Sequence, residues 1–378
     1  MALKMAEMLT PCLIDWLSVV DNAASKTSDS LRRQGWAVLD HALGEHATGL
    51  LRDEVKKLAD MREGFVQHTF HFGASTKRVV ARKPGIFEAD LDDTRLATHL
   101  SSGCLQSFCQ LFKSGAFARS FAREMPHLGL VKSANGTAIK IQYNDGKGGC
   151  FPFHFDNPGS PNRRALTAII YLNTDWQPSH GGQLELQPFL GHRIVIPPVF
   201  GRMCVFYSDR VLHCVRPARA PRFCFTVWMD SDMINRPEDT ILKGKHIAIM
   251  DTSGSSESDE DEIYAPKYTP MRAANFFRNS PLQRVVSRAI YDDEYKTSLR
   301  DMVAACYRDA ENEVSSSELQ DERIGKAMLA EHTAHVTQLL RNQAMAKFVK
   351  AMKEIKAQVP PEPKFVDGPL SGSMAVGT

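Results

Sequence analysis

The sequence lacks the cysteine pattern of a disulfide-framed or zinc-bound domain. Its 8 cysteines are scattered, no two form a CxxC pair, and several lie inside apolar runs. This spacing favours reduced, buried thiols over disulfides or a zinc cage. We therefore expect a protein of a reducing compartment.

Long hydrophobic runs and an excess of charge of one sign are also missing. No segment approaches the ~20 apolar residues of a membrane span. After Lys4, the residues Glu7, Pro11 and Asp15 leave only a short apolar stretch, which does not suit a secretory signal. The 46 Lys and Arg offset 44 Asp and Glu to a formal charge of +2, too small to attract nucleic acid or membrane globally. We expect a cytoplasmic or nuclear protein with neither of these as a partner.

Changes of pattern divide the chain into regions. With 43% hydrophobic and 24% charged residues, the composition is that of an ordinary globular protein. The acidic, low-complexity stretch Asp251–Glu262 is typical of a flexible linker. The predicted regions are an N-terminal extension (1–27), an α/β support region (28–136), a β-strand core (137–236), an acidic linker (237–270), a helical region (271–358) and a disordered tail (359–378).

The support region combines a strand with two helices. Gly35–Leu39 predicts a strand, and apolar residues at helical spacing predict helices within Gly44–Met61 and Cys104–Met125. Between the helices we interpret Phe65–Gly85 as a loop-rich stretch. Its basic residues form either a solvated face or a loop that contacts a substrate. They are Lys77, Arg78, Arg82 and Lys83.

From residue 137 to 229 the hydrophobic pattern has a period of two. Eight short segments with no helix between them indicate a sandwich or jelly roll. We predict an α+β fold, a double-stranded β-helix with supporting N-terminal helices and an additional C-terminal helical region. The predicted strands are Ala138–Tyr143, Phe151–Phe155, Ala165–Leu172, Gln183–Gln187, Arg193–Ile196, Met203–Tyr207, His213–Arg216 and Arg222–Met229.

The region after the acidic linker gives no functional signal. Pro281–Ala357 carries apolar residues at helical spacing. It predicts a small helical module or an interaction surface whose partner the sequence does not identify.

Three polar residues of the strand region indicate a metal site. His154 and Asp156 are two positions apart on a predicted strand, so both side chains project from one face. That pair alone is a weak signal, but His213 opens a later strand that a jelly roll can bring near. Two histidines and a carboxylate make the facial triad of non-haem Fe(II) oxygenases, which leaves coordination positions open.

Arg222 adds a possible anion site to this triad. It begins the last predicted strand and shares one face with Cys224, Thr226 and Trp228. A buried guanidinium requires an anion and can donate two hydrogen bonds to a carboxylate. A ferrous triad with an inward arginine suits a keto-diacid, whose keto and adjacent carboxylate oxygens can chelate iron while O2 takes the last position.

These residues belong to motifs that resemble the prolyl 4-hydroxylases dependent on 2-oxoglutarate and Fe(II). The likeness is greatest to the cytosolic, oxygen-sensing type that modifies hypoxia-inducible factors and to the hydroxylases of the adaptor Skp1. It covers about residues 137–232 and, more weakly, 31–136. Phe151 stands where the family often has a tyrosine. The motifs are His154–Pro158, Tyr171–Trp176, Gly181–Leu184, Ser208–Arg210, His213 and Arg222–Trp228.

The resemblance implies roles for the candidate residues. His154, Asp156 and His213 would bind iron. Arg222 and Tyr171 would bind the far carboxylate of 2-oxoglutarate. Two more residues would lie beside this cosubstrate, Tyr143 and Thr226. Ascorbate would serve as the reductant.

The predicted function is hydroxylation of a prolyl residue in a cytosolic or nuclear protein, with oxygen sensing as one possible role. Procollagen-type relatives have a lysine in place of Arg222, which disfavours that branch. Two alternatives stay open. One is the same chemistry on another side chain, a small molecule or a nucleobase. The other is a non-catalytic barrel that binds a partner, with the helical region as a scaffold.

Overall fold

Two β-sheets face each other in the computed structural model, with helices packed on the outer side of each. The structure describes residues 14–61, 64–72, 79–91, 96, 103–234, 270–278, 280–310 and 318–366. The helices are α1 (Trp16–Gln34), α2 (Glu45–Met61), α3 (Cys104–Lys113), α4 (Ala116–Glu124), α5 (Pro270–Arg278), α6 (Gln283–Ile290), α7 (Asp292–Ala310), α8 (Glu318–Leu340) and α9 (Gln343–Lys356). The strands are β1 (Trp36–Leu39), β2 (Val66–Phe72), β3 (Val79–Asp90), β4 (Thr137–Asn144), β5 (Phe151–His154), β6 (Arg164–Tyr171), β7 (Leu184–Gln187), β8 (Ile194–Ile196), β9 (Met203–Tyr207), β10 (Leu212–Val215), β11 (Arg222–Asp230) and β12 (Lys364–Phe365).

The sheet order confirms the predicted double-stranded β-helix. The larger sheet has the order β1-β9-β6-β11-β4-β3-β2, and the smaller one β12-β8-β7-β10-β5. Strands β4 to β7 alternate between the sheets, as do β8 to β11, while β7 and β8 are neighbours in the smaller sheet. These eight strands match the predicted ones to within two residues at either end. The period-two pattern located them because each strand buries side chains against the facing sheet or the outer helices.

From residue 16 onward the N-terminal part of the described chain contributes to the core. Helix α1 starts at residue 16, where Asp15 caps it by accepting a hydrogen bond from the Ser18 N–H (3.2 Å). Trp16, Val20 and Leu31 of this helix are buried. The stretch predicted as an extension over 1–27 thus includes, from residue 16 onward, a helix whose apolar positions follow the helical repeat.

Two features of the support region also differ from the sequence prediction. Phe65–Gly85, predicted as loop-rich, contains most of the antiparallel β2–β3 hairpin, and β3 pairs with β4. The basic residues suggested a loop, but Val66, Thr69 and Val79 are residue types that favour strands, and β3 is held by its pairing with β4. The helix predicted over Cys104–Met125 is two helices, because Gly115 adopts φ +72° and a Cβ there would lie 2.5 Å from the Lys132 carbonyl oxygen.

The C-terminal helices α5–α9 form a module that covers the smaller sheet. Phe153 and Leu212 of the sheet join Phe277, Val286 and Phe348 of the module in one buried cluster. The predicted tail also differs at its start, since β12 pairs in parallel with β8 and Val366 is buried. The acidic linker and the last residues of the tail, 235–269 and 367–378, lie outside the described residues.

Two of the sequence predictions, on the cysteines and on membrane-spanning segments, can be compared with the described part of the chain. Its cysteines are buried, as predicted. No helix in the described ranges is long and apolar enough to span a bilayer.

Candidate metal and cosubstrate site

Adjacent antiparallel strands bring the two histidines together. In the β5–β10 pairing His154 lies directly opposite His213, and their ring centroids are 4.2 Å apart. Asp156 follows β5 on the same side. Its Oδ1 atom lies 3.5 Å from His154 Nε2 and 3.7 Å from His213 Nε2. All three ligand atoms lie within 4.8 Å of one another, close to the separations of ligands that each lie roughly 2.1 Å from one ion, so they can converge on a single metal.

The remaining polar atoms of the triad are held by the protein. Nδ1 of His154 donates to the Pro152 carbonyl oxygen (2.8 Å), and Nδ1 of His213 donates to that of Val211 (3.1 Å). Each Nδ1 therefore carries the ring proton, which leaves both Nε2 lone pairs for a metal.

Asp156 is oriented in the same way. Its Oδ2 accepts a hydrogen bond from Thr167 Oγ1 (2.6 Å), which lies 2.8 Å from Ser208 Oγ. Burial alone would raise the pKa of Asp156, but His213, His154 and Thr167 together lower it well below the usual range. The carboxylate is thus ionised at neutral pH, with Oδ1 directed to the centre of the triad.

His213 is the more buried of the two histidines. Its side chain is 4% exposed, against 38% for His154. Burial and the neighbouring His154 lower the pKa of His213 to about 4, although Asp156 opposes the shift. A neutral imidazole is the form that binds a metal, so this site is ready to bind one at physiological pH.

Arg222 lies on the inner face of β11 and has no carboxylate partner among the described residues. It is 5% exposed. Its Nε donates to the Gly182 carbonyl oxygen (3.0 Å), and its Nη1 lies 3.3 Å from Cys224 Sγ. A Cβ on Gly182 would lie 3.0 Å from Arg222 Cδ, which explains a glycine at this position. The guanidinium is thus fixed in place, with its charge still to be paired.

Tyr171 shares this face and has an unsatisfied hydroxyl. Cys224 pairs with Tyr171 on one side and with Gln142 on the other, so the three lie in one row across the sheet. The Arg222 guanidinium carbon is 5.1 Å from the Tyr171 ring centroid, so the guanidinium lies beside the buried Tyr171 hydroxyl, which donates to no acceptor of the protein. Burial raises the pKa of Tyr171, so the phenol keeps its proton and remains a donor. A buried cation beside an orphaned donor fits the carboxylate of a keto-diacid.

Thr226 is also on the inner face, but Tyr143 is not. Thr226 Oγ1 donates to Gln142 Oε1 (3.0 Å). Tyr143 pairs with Phe223 on the opposite face, and their rings stack at 4.7 Å. The structure therefore brings Thr226 together with Arg222 and Tyr171, and leaves Tyr143 outside this group.

Sequence reasoning missed three residues of this region. Thr167 lies four positions before Tyr171 on β6, so strand alternation could have found it. Gln142 required the register of β4 with β11. Lys83 was expected on a solvated face or in a substrate-contacting loop, but it is 8% exposed, with Nζ 3.6 Å from the Phe151 ring centroid. Burial lowers the pKa of Lys83 to about 7.

Comparison with known proteins agrees with this geometry. Residues 139–230 match the family model of the 2OG-Fe(II) oxygenase superfamily. Comparison with curated protein sequences gives no match. A Phytophthora capsici prolyl 4-hydroxylase structure is 27% identical and covers 90% of this chain and 95% of its own, with a TM-score of 0.65.

Two shorter structures are similar more weakly. A Pseudomonas putida prolyl-4-hydroxylase is 22% identical over 55% of this chain and 98% of its own, with a TM-score of 0.43. A Trichoplax adhaerens prolyl hydroxylase, solved with a hypoxia-inducible factor peptide, is 22% identical over 58% and 94%, with a TM-score of 0.44. At this level of similarity neither carries an argument about this chain.

Proposed function

We propose that this enzyme, whose residues 139–230 form a 2OG-Fe(II) oxygenase domain, hydroxylates a prolyl residue of a protein. The oxygenase assignment rests on the convergence of His154, Asp156 and His213, whose ligand atoms lie within 4.8 Å of one another. The prolyl part is supported by the likeness to the Phytophthora capsici prolyl 4-hydroxylase, which extends over 90% of the chain.

Each residue of the site has a distinct task in this proposal. His154, Asp156 and His213 would hold Fe(II) on one side and leave the other side open. Arg222 and Tyr171 would donate hydrogen bonds to the far carboxylate of 2-oxoglutarate and so fix its orientation. Bound together, Fe(II) and 2-oxoglutarate allow O2 to oxidise the keto acid to succinate and CO2 and to insert oxygen into a C–H bond.

The cellular setting and reductant are part of the same proposal. Scattered, buried cysteines suit a reducing compartment, so we place the enzyme in the cytoplasm or nucleus. Ascorbate would keep the iron ferrous between turnovers. The oxygen affinity of the purified enzyme would decide whether it acts as a sensor.

The test is an assay of purified protein with Fe(II), ascorbate, 2-oxoglutarate and an array of proline-centred peptides. We expect succinate, together with peptides that gain one oxygen atom on proline by mass spectrometry. Succinate without a modified proline would contradict the prolyl assignment and keep the oxygenase. No succinate with any peptide would contradict both.

A further inference from the structure

A cavity lies beside His154, between the barrel and the C-terminal module. Its volume is about 300 Å³. Residues 152–154 and Lys83 form its barrel wall, and residues of α6, α7 and α8 form the opposite wall. Because His154 belongs to the triad, a group bound in this cavity lies next to the reacting centre.

The module is attached to β5 by specific contacts. β5 lies at one edge of the smaller sheet, so part of its backbone has no neighbouring strand to pair with. The N–H of Phe153 donates instead to Ser298 Oγ on α7 (3.1 Å). Arg284 Nη1 donates to the carbonyl oxygen of Asn157, just beyond β5 (2.7 Å). The far wall of the cavity therefore has a defined position relative to the triad.

His332 of α8 is part of this wall and has an unsatisfied acceptor. The residue is 2% exposed, and its ring stacks on Tyr295 at 5.3 Å. Its Nε2 lies 2.7 Å from Asp292 Oδ1. A carboxylate can only accept, so Nε2 carries the proton and Nδ1 has the lone pair. Nδ1 is buried and has no partner, which is costly unless a ligand donates to it.

Arg288 of α6 supplies the complementary donor. It lines the same cavity, and its guanidinium carbon is 5.8 Å from the Tyr295 ring centroid. A guanidinium only donates hydrogen bonds, and the neutral His332 Nδ1 only accepts them. A carboxylate satisfies Arg288 but not His332, and an ammonium satisfies His332 but not Arg288. An amide satisfies both, since it has an N–H and a carbonyl oxygen.

We propose that the C-terminal module selects the substrate by binding one of its amide groups in this cavity, beside the proline that is hydroxylated. His332 accepts from the amide N–H, and Arg288 donates to the amide oxygen. This inference rests on the proposed prolyl hydroxylation. The amide is either a peptide group of the substrate backbone or the side chain of an asparagine or glutamine.

The test compares His332→Gln with His335→Gln, using the best peptide of the array. The glutamine at 332 can keep the hydrogen bond to Asp292 but has no acceptor in place of Nδ1, whereas His335 is exposed on the same helix. We expect the peptide KM to rise about five- to tenfold in His332→Gln only, as for the loss of one buried hydrogen bond. kcat and the KM for 2-oxoglutarate should stay within twofold of wild type.

A second pair of variants keeps the inference testable if His332→Gln does not fold. Arg288→Leu should raise the peptide KM at least fivefold, and Arg300→Leu, at an exposed position of α7, should not. Two altered peptides then identify the source of the amide. A backbone amide predicts weaker binding when one peptide N–H is replaced by an ester, and a side-chain amide predicts it when Asn or Gln becomes Asp or Glu.

Three results would overturn the inference. One is a peptide KM within twofold of wild type in both His332→Gln and Arg288→Leu. Another is an equal rise in the control variants, which would indicate general loosening of the module. The third is an array without any hydroxylated proline, which contradicts the proposed function and this inference together, whereas the first two leave the proposed function intact.

Discussion

The triad and the Arg222 end of the barrel differ in how the protein satisfies their polar atoms. Around the triad, both Nδ1 atoms and Asp156 Oδ2 have protein partners. At the other end, the Tyr171 hydroxyl is orphaned and Arg222 faces no carboxylate of the described chain. The metal end is therefore preorganised by the fold, while the anion end is completed by its ligand. Substitutions at the two ends should separate metal binding from cosubstrate binding.

The largest expected effect is that of Asp156→Ala. Without the carboxylate, two neutral imidazoles remain to hold a divalent cation, so stoichiometric metal binding and succinate formation should both be lost. Calorimetric titration with Mn(II) under anaerobic conditions measures the binding. Asp53→Ala, at a 73% exposed position of α2, is the control. Retained stoichiometric binding in Asp156→Ala would remove Asp156 from the triad.

Arg222→Met should weaken the binding of 2-oxoglutarate and leave the binding of metal by the triad unchanged. Removing the buried partner of a carboxylate costs about 3–5 kcal/mol, so 2-oxoglutarate affinity should fall about 10²- to 10⁴-fold while metal affinity stays unchanged. The same titration, repeated with 2-oxoglutarate on the Mn(II)-loaded protein, separates the two. Arg219→Met, at an exposed position, is the matched control. Unchanged cosubstrate affinity would refute the role of Arg222.

Lys83 is a second buried basic residue, and its expected charge state differs from that of Arg222. A guanidinium stays protonated at any ordinary pH, whereas the pKa of Lys83 is lowered to about 7 by burial. Between pH 7 and 10.5 the unfolded lysine binds a proton that the folded one has released, so the stability of the folded state rises with pH.

We therefore expect Lys83→Met to be stabilised relative to wild type at pH 7, with that advantage about 2 kcal/mol smaller at pH 9. Urea unfolding of both proteins at the two pH values measures the difference in unfolding free energy. A difference that does not change with pH would contradict the lowered pKa of Lys83.

The smallest effect concerns the orphaned hydroxyl of Tyr171. Tyr171→Phe removes one donor to the cosubstrate, so 2-oxoglutarate affinity should fall about fivefold. The same change removes an unsatisfied buried group, so the thermal midpoint of the ligand-free protein should rise. Differential scanning fluorimetry with and without 2-oxoglutarate tests both. A lower midpoint without ligand would show that the hydroxyl is already satisfied in the free protein.

The strand core was predictable from the sequence to a large extent. The period-two pattern located β4 to β11, and the spacing of His154 and Asp156 implied a shared face. Arg222 was found in the same way, from its place on an alternating apolar strand. These inferences succeed because side-chain alternation is a local property of a strand.

Other residues depended on contacts that no local pattern contains. Tyr143 and Gln142 are adjacent on β4, and only the register with β11 decides which of them faces Arg222. Basic residues interrupt the strand signal of the β2–β3 hairpin, and only the fold shows that β3 pairs with β4 and that Lys83 is buried against Phe151. Likewise, the helical pattern of the C-terminal region does not reveal that α7 packs on β5.

By itself, then, the amino-acid sequence determined the barrel strands, the three residues of the triad and the inward arginine, because each follows from short-range spacing. The tertiary structure alone decided which polar atoms are left without partners and which helices form the wall beside His154. Those properties depend on how distant segments pack against one another, since an atom is orphaned or satisfied only by the neighbours that folding brings to it.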